Sequence, residues 1–289
     1  MKLWDTINKP ITRKAFLATF AGAFYTAAVE RYWIAVNEYN IPFPRLPRQF
    51  DGFRIGFLSD IHLGLFMPGA WVDAIVDRAN ALGVDALVLG GDYVHARKTD
   101  HELLLVWSKL KKLSAPSGVF AVNGNHDHWA NHDLPLRLLD SSGFSVRHKV
   151  ATVKRGRATI AIAGVGDLWE DESLLDETLK DIPDSVFRIV LAHNPDSADL
   201  PHTSRVDLFL SGHTHGGQVR IPFLNWSPVI PVKNKAYDLG LKQNTAEEKI
   251  FINVCPSGQS KIYDNWLKRT SPKHYILRLD IPVHDFVLH

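Results

Sequence analysis

The sequence has one cysteine, Cys255, among its 289 residues. This excludes an internal disulfide and any zinc site built from several thiolates. There is no long run of lysine or arginine, and a net charge of +2 does not indicate a nucleic-acid partner. The glycine pairs Gly90–Gly91 and Gly216–Gly217 lack the spacing of a nucleotide-binding loop. What remains is an ordinary folded composition, 45% hydrophobic and 22% charged, long enough for a large α/β domain.

The first residues of the chain combine basic charge with an apolar run. Residues 15–29 are mostly apolar, which is short for the ~20 residues of a membrane span. Four basic residues precede this run: Lys2, Lys9, Arg13 and Lys14. Such an order is typical of an export signal, and residues 12–17 look like a twin-arginine signal whose second arginine is replaced by lysine. We expect export or membrane attachment; the alternative is an amphipathic helix that lies on a membrane or packs on the domain.

The rest of the chain divides into a linker and one domain. Three prolines at positions 42, 44 and 47 predict a linker, so a signal or anchor segment is placed in residues 1–48 and the domain in residues 49–289. Apolar strands alternate with amphipathic helices, which predicts a parallel sheet with crossover helices. The predicted strands are 53–59, 84–89 and 118–122, and the helices are 71–82 and 99–113. Further strands are predicted at 159–165, 187–192, 206–210, 249–254 and 275–279. A long loop is predicted at 224–240. Because strands outnumber helices in this half of the chain, a second sheet is expected to pack on the first.

Short polar blocks follow the apolar strands. They are Asp60-Ile61-His62, Gly90-Gly91-Asp92, Gly124-Asn125-His126-Asp127, Ala192-His193-Asn194 and Gly212-His213-Thr214-His215-Gly216-Gly217. In open α/β sheets, ligands gather beyond the carboxyl ends of the strands, so these distant blocks are expected to meet along one edge. Taken singly, Asp60 and Asp92 could be helix caps or turn residues, and His213 and His215 could be ordinary surface or core histidines.

The residue types in these blocks indicate metal chemistry. A carboxylate buried alone tends to protonate, whereas a metal ion keeps it charged. Two carboxylates, one amide and several imidazoles suit first-row divalent ions better than calcium. Two such ions are well suited to the hydrolysis of a phosphate ester, because they stabilise both the attacking and the leaving oxygen.

In order and in wording, the blocks resemble the motifs of the calcineurin-like metallophosphoesterase superfamily, D-x-H, G-D, G-N-H, H and G-H-x-H, over residues 53–218. The residues within and around these motifs are most similar to those of the bacterial branch of membrane-associated or exported phosphoesterases, whose members share the basic and apolar N-terminal segment. The resemblance implies an α/β fold, a four-layer α/β/β/α sandwich of two mixed β-sheets flanked by helices. It also implies a location at the inner membrane or on its periplasmic side, with a cytoplasmic location as the alternative.

The resemblance further implies the ligands of two divalent ions, which could be manganese, iron, zinc or magnesium. One ion would be held by Asp60, His62 and His215, the other by Asn125, His193 and His213, and both by Asp92. A hydroxide shared by the ions would attack phosphorus in line with the leaving oxygen. The expected activity is that of a metal-dependent phosphoric ester hydrolase.

His126 is implied to be the catalytic residue that faces the substrate. It would stabilise the phosphoryl oxygens or protonate the leaving group, and such proton transfer contributes ~10²–10⁴ in rate. Many relatives orient this histidine with an aspartate three residues after the bridging one, but that position is His95 here. Asp127 is a second candidate for the orienting role. His128 and Trp129 lie nearby in sequence and could touch the substrate.

The substrate class is expected to be a phosphodiester or a pyrophosphate, and the basic, apolar start favours one that is linked to a lipid at a membrane surface. Phosphate monoesters stay open. Two alternatives to this reading remain. One is a non-catalytic binding scaffold of the same fold, which loss of a ligand or of the catalytic histidine would signal. The other is a single-zinc hydrolase with three ligands and one open position.

Overall fold

The computed structural model describes residues 34–65, 67–216 and 230–253, the strand at 274–281, and positions 17, 20 and 21. The predicted signal or anchor segment therefore lies largely outside the described residues, as does Val254 at the end of a predicted strand. Among the residues that are described, no helix is both long enough and apolar enough to cross a bilayer.

The first sheet is mixed and contains β1 (Ile34–Asn40), β2 (Phe53–Leu58), β3 (Ala86–Leu89), β4 (Val119–Ala121) and β11 (His274–Ile281). Its strand order is β1-β11-β2-β3-β4. Strands β2, β3 and β4 are parallel, whereas β11 is antiparallel to β2 and parallel to β1. Leu277 pairs with Phe57, and His274 pairs with Ile34. The first residue of β1 therefore lies at the edge of the sheet where β2 ends.

The second sheet contains β5 (Lys149–Arg155), β6 (Ala158–Gly164), β7 (Phe187–Leu191), β8 (Leu208–Ser211), β9 (Gly240–Gln243) and β10 (Lys249–Ile252). Its order is β5-β6-β7-β8-β10-β9. The four central strands are parallel, and the two edge strands, β5 and β9, are antiparallel to their neighbours.

Between the strands of the described part of the chain lie five α-helices and two 3₁₀ turns. They are α1 (Gly69–Asn80), α2 (Asp100–Leu110), α3 (Asn125–Ala130), α4 (Leu134–Ser142), α5 (Leu175–Leu179), and the turns Arg48–Phe50 and Pro195–Asp199. The apolar spacing that predicts α1 is explained by burial, because Val72, Ile75 and Val76 all face the core. The predicted cap of α2 is also present: the Thr99 hydroxyl accepts the N–H of Glu102 at 3.3 Å.

The apolar side chains form three layers of core. The central layer lies between the two sheets and joins Phe57, Val88 and Phe120 of the first to Ile162 and Ile189 of the second. A second layer lies between the first sheet and α1, α2 and α4, and a third lies between the second sheet and α5 with the Pro195–Asp199 turn. The order is helices, sheet, sheet, helices, which confirms the predicted four-layer sandwich of two mixed sheets.

The start of the domain bears on the predicted linker. Ile41, Phe43 and Leu46 are buried and belong to the central core, although the sequence interpretation places them before the domain. The boundary at residue 48 stays a prediction, and this packing favours an earlier start, at or before β1.

Candidate metal centre

The candidate metal centre lies where the carboxyl ends of strands from both sheets meet. Its seven predicted ligands follow five strands: Asp60 and His62 after β2, Asp92 after β3, Asn125 after β4, His193 after β7, and His213 and His215 after β8. The structure brings all seven together. Six of them are buried, and the His215 side chain is 14% exposed. Each sheet contributes part of the set, so the centre bridges the two sheets at one edge of the sandwich.

Four of these residues form the cluster that we call the first half-site: Asp60, His62, Asp92 and His215. His62 Nε2 lies 3.1 Å from His215 Nε2 and 3.6 Å from Asp92 Oδ2. His215 Nε2 lies 3.7 Å from Asp60 Oδ1. One ligand atom from each residue lies within 4.8 Å of the others, so the four surround a point where a cation could bind.

The second half-site contains Asp92 again, together with His193, His213 and Asn125. His193 Nε2 lies 3.2 Å from Asp92 Oδ2 and 3.3 Å from His213 Nδ1. Asn125 lines a cavity together with Asp92 and His213, and its buried Oδ1 has no hydrogen-bond partner in the described part of the chain. An unsatisfied buried acceptor costs ~1–3 kcal/mol, and a cation at this position would satisfy it. Asp92 is the residue that the two half-sites share.

The imidazoles of the two half-sites differ in their hydrogen bonds. In the second, His193 Nδ1 donates to the Gly90 carbonyl at 2.7 Å and His213 Nε2 donates to the Pro231 carbonyl at 2.9 Å. A carbonyl only accepts, so each bond fixes the tautomer and leaves the other ring nitrogen for a metal. In the first, Nδ1 of His62 and of His215 is buried without a hydrogen-bond partner among the described residues.

The electrostatics of the centre fit metal ligation. Burial and the neighbouring His193 lower the pKa of His213 to about 3. Burial, together with other groups of the cluster, also lowers the pKa of His62 and of His215, so these rings are neutral at pH 7 and keep a lone pair for a ligand bond. Burial would lower the pKa of His193 too, but the Asp92 carboxylate outweighs it and raises that pKa to about 10. A metal ion that binds His193 must displace this proton.

The backbone of the centre is held in unusual conformations. Five of the seven predicted ligands have left-handed φ angles: Asp60 at 56°, His62 at 50°, Asp92 at 57°, His213 at 68° and His215 at 52°. This region costs a non-glycine residue roughly 1–2 kcal/mol, and such strain concentrates at functional sites. The glycine before His213 is also required, because a Cβ at Gly212 would overlap the Asp60 carboxylate.

Asp127 has a structural role in the centre and does not orient His126. Its carboxylate accepts the N–H groups of Asp92 at 2.9 Å, Tyr93 at 2.8 Å and Gly124 at 2.9 Å. Burial and the neighbouring Asp92 raise the pKa of Asp127 to about 7, while the backbone donors act in the opposite direction. The loops after β3 and β4 are therefore joined through one buried side chain.

His126 lies beside the half-sites and is oriented by the backbone of His95. Its ring is 4.6 Å from that of His62, and its Nδ1 donates to the His95 carbonyl at 3.0 Å. The histidine that replaces the aspartate of many relatives therefore still supplies an acceptor, through its main chain. The His126 N–H also donates to Asp92 Oδ1 at 2.8 Å. Sequence reasoning missed this contact because a carbonyl leaves no trace in residue identity.

A cavity of about 300 Å³ opens over the centre. Besides five of the predicted ligands and His126, it is lined by Trp129, Trp169 and His95. Trp129 was a predicted substrate contact, but Trp169 was missed because it lies forty positions further along the chain. His128, the other predicted contact, is buried and is not among the lining residues. Asp167, also missed, is buried near His193, and burial raises its pKa.

Comparison with known proteins identifies the family. Residues 53–217, more than half of the chain, match the calcineurin-like phosphoesterase family, so the chain belongs to it. It is 32% identical over 261 residues to the uncharacterized metallophosphoesterase YkuE of Bacillus subtilis, covering 85% of this chain and 90% of that protein. It is 34% identical over 243 residues to phosphodiesterase YaeI of Escherichia coli, covering 78% and 83%. A Danio rerio protein named transmembrane protein with metallophosphoesterase domain is 32% identical over 234 residues, covering 73% and 53%.

Family membership and the two histidine–aspartate clusters together support a phosphoesterase that binds divalent metal ions.

Proposed function

We propose that this protein hydrolyses phosphodiesters or pyrophosphates, including lipid-linked ones, at a centre of two divalent metal ions. The observation that supports it most directly is the position of Asp92. Its Oδ2 lies 3.6 Å from His62 Nε2 in the first half-site and 3.2 Å from His193 Nε2 in the second. A carboxylate between two imidazole clusters is placed to bridge two cations and to lower their mutual repulsion.

The donor set of each half-site suits a first-row ion. In this proposal, Asp60, His62 and His215 hold one ion; Asn125, His193 and His213 hold the other; and Asp92 binds both. Imidazole and carboxylate ligands favour manganese, iron or zinc, while magnesium prefers oxygen alone. When bound, two such ions supply a nucleophile by lowering the pKa of water and neutralise charge on the phosphoryl oxygens.

His126 is proposed to act on the substrate by moving a proton or donating a hydrogen bond. Because Nδ1 is committed to the His95 carbonyl, Nε2 is the ring nitrogen left to face the phosphate. Nε2 is then the atom that would pass a proton to the leaving oxygen. The His126 ring lines the cavity, so it can reach an ester bound over the half-sites.

The choice of diester or pyrophosphate is supported by one relative and by the cavity. The Escherichia coli relative is named a phosphodiesterase. The cavity of about 300 Å³ extends from the half-sites to the two tryptophans, which leaves room for groups on both sides of the phosphorus. The scaffold alternative has no support from the residues, because every predicted ligand and His126 are present.

The test measures metal content and turnover on the same purified protein. We expect two divalent ions per chain by elemental analysis and release of p-nitrophenol from bis(p-nitrophenyl) phosphate. His213→Ala should lose metal and activity, while His132→Ala, whose side chain is 87% exposed and does not line the cavity, should keep both. One ion per chain would favour the single-zinc alternative, and metal without turnover on any ester would favour the scaffold.

We also propose that residues before β1 attach the protein to a membrane surface, from an exported or periplasmic location. The basic residues and apolar run of positions 1–29 support this, and one relative is named a transmembrane protein. The test compares the full chain with a version that begins at residue 31, which keeps β1 whole. On vesicles containing anionic lipid, only the full chain should sediment; if neither version sediments, the proposal is wrong.

A further inference from the structure

Two tryptophans form one wall of the cavity beside the half-sites. The Trp129 ring lies 4.7 Å from the ring of His126, and the Trp169 ring lies 4.4 Å from that of His213. The two indoles are 6.3 Å apart and nearly parallel, at 27°. Trp129 lies in α3, which follows β4, and Trp169 lies in the loop after β6, so their meeting at the cavity is a feature of the tertiary fold.

The exposed ring of Trp169 is held in place by its own loop. Asp167 Oδ1 accepts the N–H of Trp169 at 3.0 Å and that of Glu170 at 3.1 Å. At the end of the loop, the Arg147 guanidinium binds the Asp171 carboxylate through two donors. The loop therefore has little freedom to fold the indole away from the cavity.

The second tryptophan is tied to the same loop and carries a cation on its face. Trp129 Nε1 donates to Glu170 Oε1 at 2.6 Å, which links this ring to the residue that follows Trp169. The Arg97 guanidinium lies 4.2 Å from the Trp129 ring centre. An exposed cation over a ring that lines the cavity attracts a phosphate anion, and the indoles offer a flat apolar surface.

Trp169 is 47% exposed, one of the few large apolar side chains in the described residues that remain so accessible. A tryptophan normally buries most of its ring, and an ordered aromatic beside a reactive centre is a common way to bind flat ligands. The exposed area faces the cavity that His126 also lines, so a part of the bound substrate is the group best placed to cover this ring.

We propose that Trp129 and Trp169 are specificity-determining residues: they form an aromatic platform that binds the planar ring of a phosphate ester whose phosphorus lies over the half-sites. This inference rests on the proposed function and deepens it, because it assigns the substrate to esters that carry an aromatic ring. Such a ring has two sources, the base of a nucleotide or the aryl group of another alcohol.

The first arm of the test uses two diesters with one leaving group. Bis(p-nitrophenyl) phosphate and methyl p-nitrophenyl phosphate both release p-nitrophenol, but only the first retains an aromatic group. We expect the ratio of their kcat/KM values to fall about tenfold in Trp169→Ala, the size typical of one lost stacking contact. Trp169→Phe should keep most of the ratio. Leu241→Ala, 43% exposed on the edge strand β9, should leave it unchanged.

The second arm measures binding without turnover. Calorimetry on the metal-loaded protein compares adenosine 5′-monophosphate with ribose 5-phosphate, which share the phosphate and the sugar. If the platform takes a base, the nucleotide binds at least about threefold more tightly, and Trp169→Ala removes the difference. If only the diester ratio responds, the ring belongs to an aryl alcohol, and the platform is still supported.

The two proposals fail in different ways. Suppose that the wild-type protein cleaves both diesters, but Trp169→Ala changes neither the kcat/KM ratio nor the affinity difference between the two phosphates. The platform proposal is then wrong and the proposed function stands. If the wild-type protein cleaves neither diester, the proposed function is wrong for these esters. The calorimetric comparison then decides the platform by itself: a nucleotide preference that depends on Trp169 supports it, and equal binding of the two phosphates overturns it.

Discussion

The two half-sites share Asp92 but differ in how their imidazoles are supported. In the second half-site, carbonyl oxygens of Gly90 and Pro231 hold both histidine rings in one tautomer. In the first, the carboxylate is the better supported group: Asp60 accepts the Ser59 hydroxyl at 2.5 Å and the His213 N–H at 2.9 Å. The buried Nδ1 atoms of its two histidines have no such partner among the described residues.

This difference bears on metal affinity. Partners on the far nitrogen of a ligating imidazole raise its basicity and fix its orientation, and their loss typically costs 10- to 100-fold in affinity. We therefore expect the second half-site to bind its ion more tightly and the first to exchange its ion more readily. The two ions of one centre would then have separate affinities, set by main-chain carbonyls and not by the type of ligand.

The largest loss of activity is expected from a substitution of Asp92, the residue that both half-sites share. Asp92→Asn removes the shared charge, so both ions should be lost and kcat/KM on bis(p-nitrophenyl) phosphate should fall about 10³-fold or more. That factor corresponds to several kcal/mol of lost charge stabilisation. Elemental analysis and steady-state kinetics on the same sample check it. A variant that retains both ions and full activity would show that Asp92 does not bridge.

His126→Ala should affect neither half-site yet slow the reaction. The backbone N–H that binds Asp92 remains in this variant, so metal content should stay at the wild-type level. The loss of the ring should lower kcat by about 10²–10³, within the range for a lost proton donor. If the ions are lost together with the activity, the residue is a structural part of the centre.

Metal titration tests the comparison itself. Calorimetric addition of Mn²⁺ to metal-free protein should show two steps whose dissociation constants differ about 10- to 100-fold. His62→Ala should remove the weak step and keep the tight one, and His193→Ala should remove the tight one. His132→Ala is the control. A single affinity for both ions, or loss of the tight step in His62→Ala, would contradict the proposed asymmetry.

Asp127→Asn should affect both half-sites equally, because it lowers the stability of the fold that positions them. The carboxylate accepts three buried N–H groups, and an amide replaces one acceptor oxygen with a donor. We expect the free energy of unfolding to fall by about 2–3 kcal/mol, the cost of charged hydrogen bonds left unmade. Urea denaturation measures this loss, with Asp133→Asn as the control, since that side chain is 71% exposed. An unchanged midpoint would remove Asp127 from the structural role.

Much of the fold and of the centre could be predicted because the signals are local. Blocks such as Asp60-Ile61-His62 follow buried apolar strands, and strand order then requires them to meet at one edge. The missed strands β1, β5 and β9 all lie at sheet edges, where exposure weakens the apolar pattern; β5, for example, has only Val153 buried. Predictions that depended on residue type alone, such as Asp127 orienting His126, gave way to a main-chain contact.

The distant contacts were harder to foresee for a different reason. Trp169 reaches the cavity through a loop built by Asp167 and by the Arg147–Asp171 pair, and no spacing in the sequence connects these residues to Trp129. The Pro231 carbonyl reaches His213 from a segment eighteen residues away. Such contacts arise from the packing of loops over the sheet edge, which sequence periodicity does not encode.

The direction of β1 sets where the chain enters the domain. Because β1 runs against β2, Ile34 sits on the metal-bearing side of the sandwich, about 10 Å sideways from β2 across two strand spacings. A tether formed by the preceding residues would thus leave from the catalytic side. Held to a membrane in this way, the protein would turn the cavity over its metal centre toward the lipid surface. Headgroups that extend only a short distance from the bilayer would then reach the centre without a hinge motion of the domain.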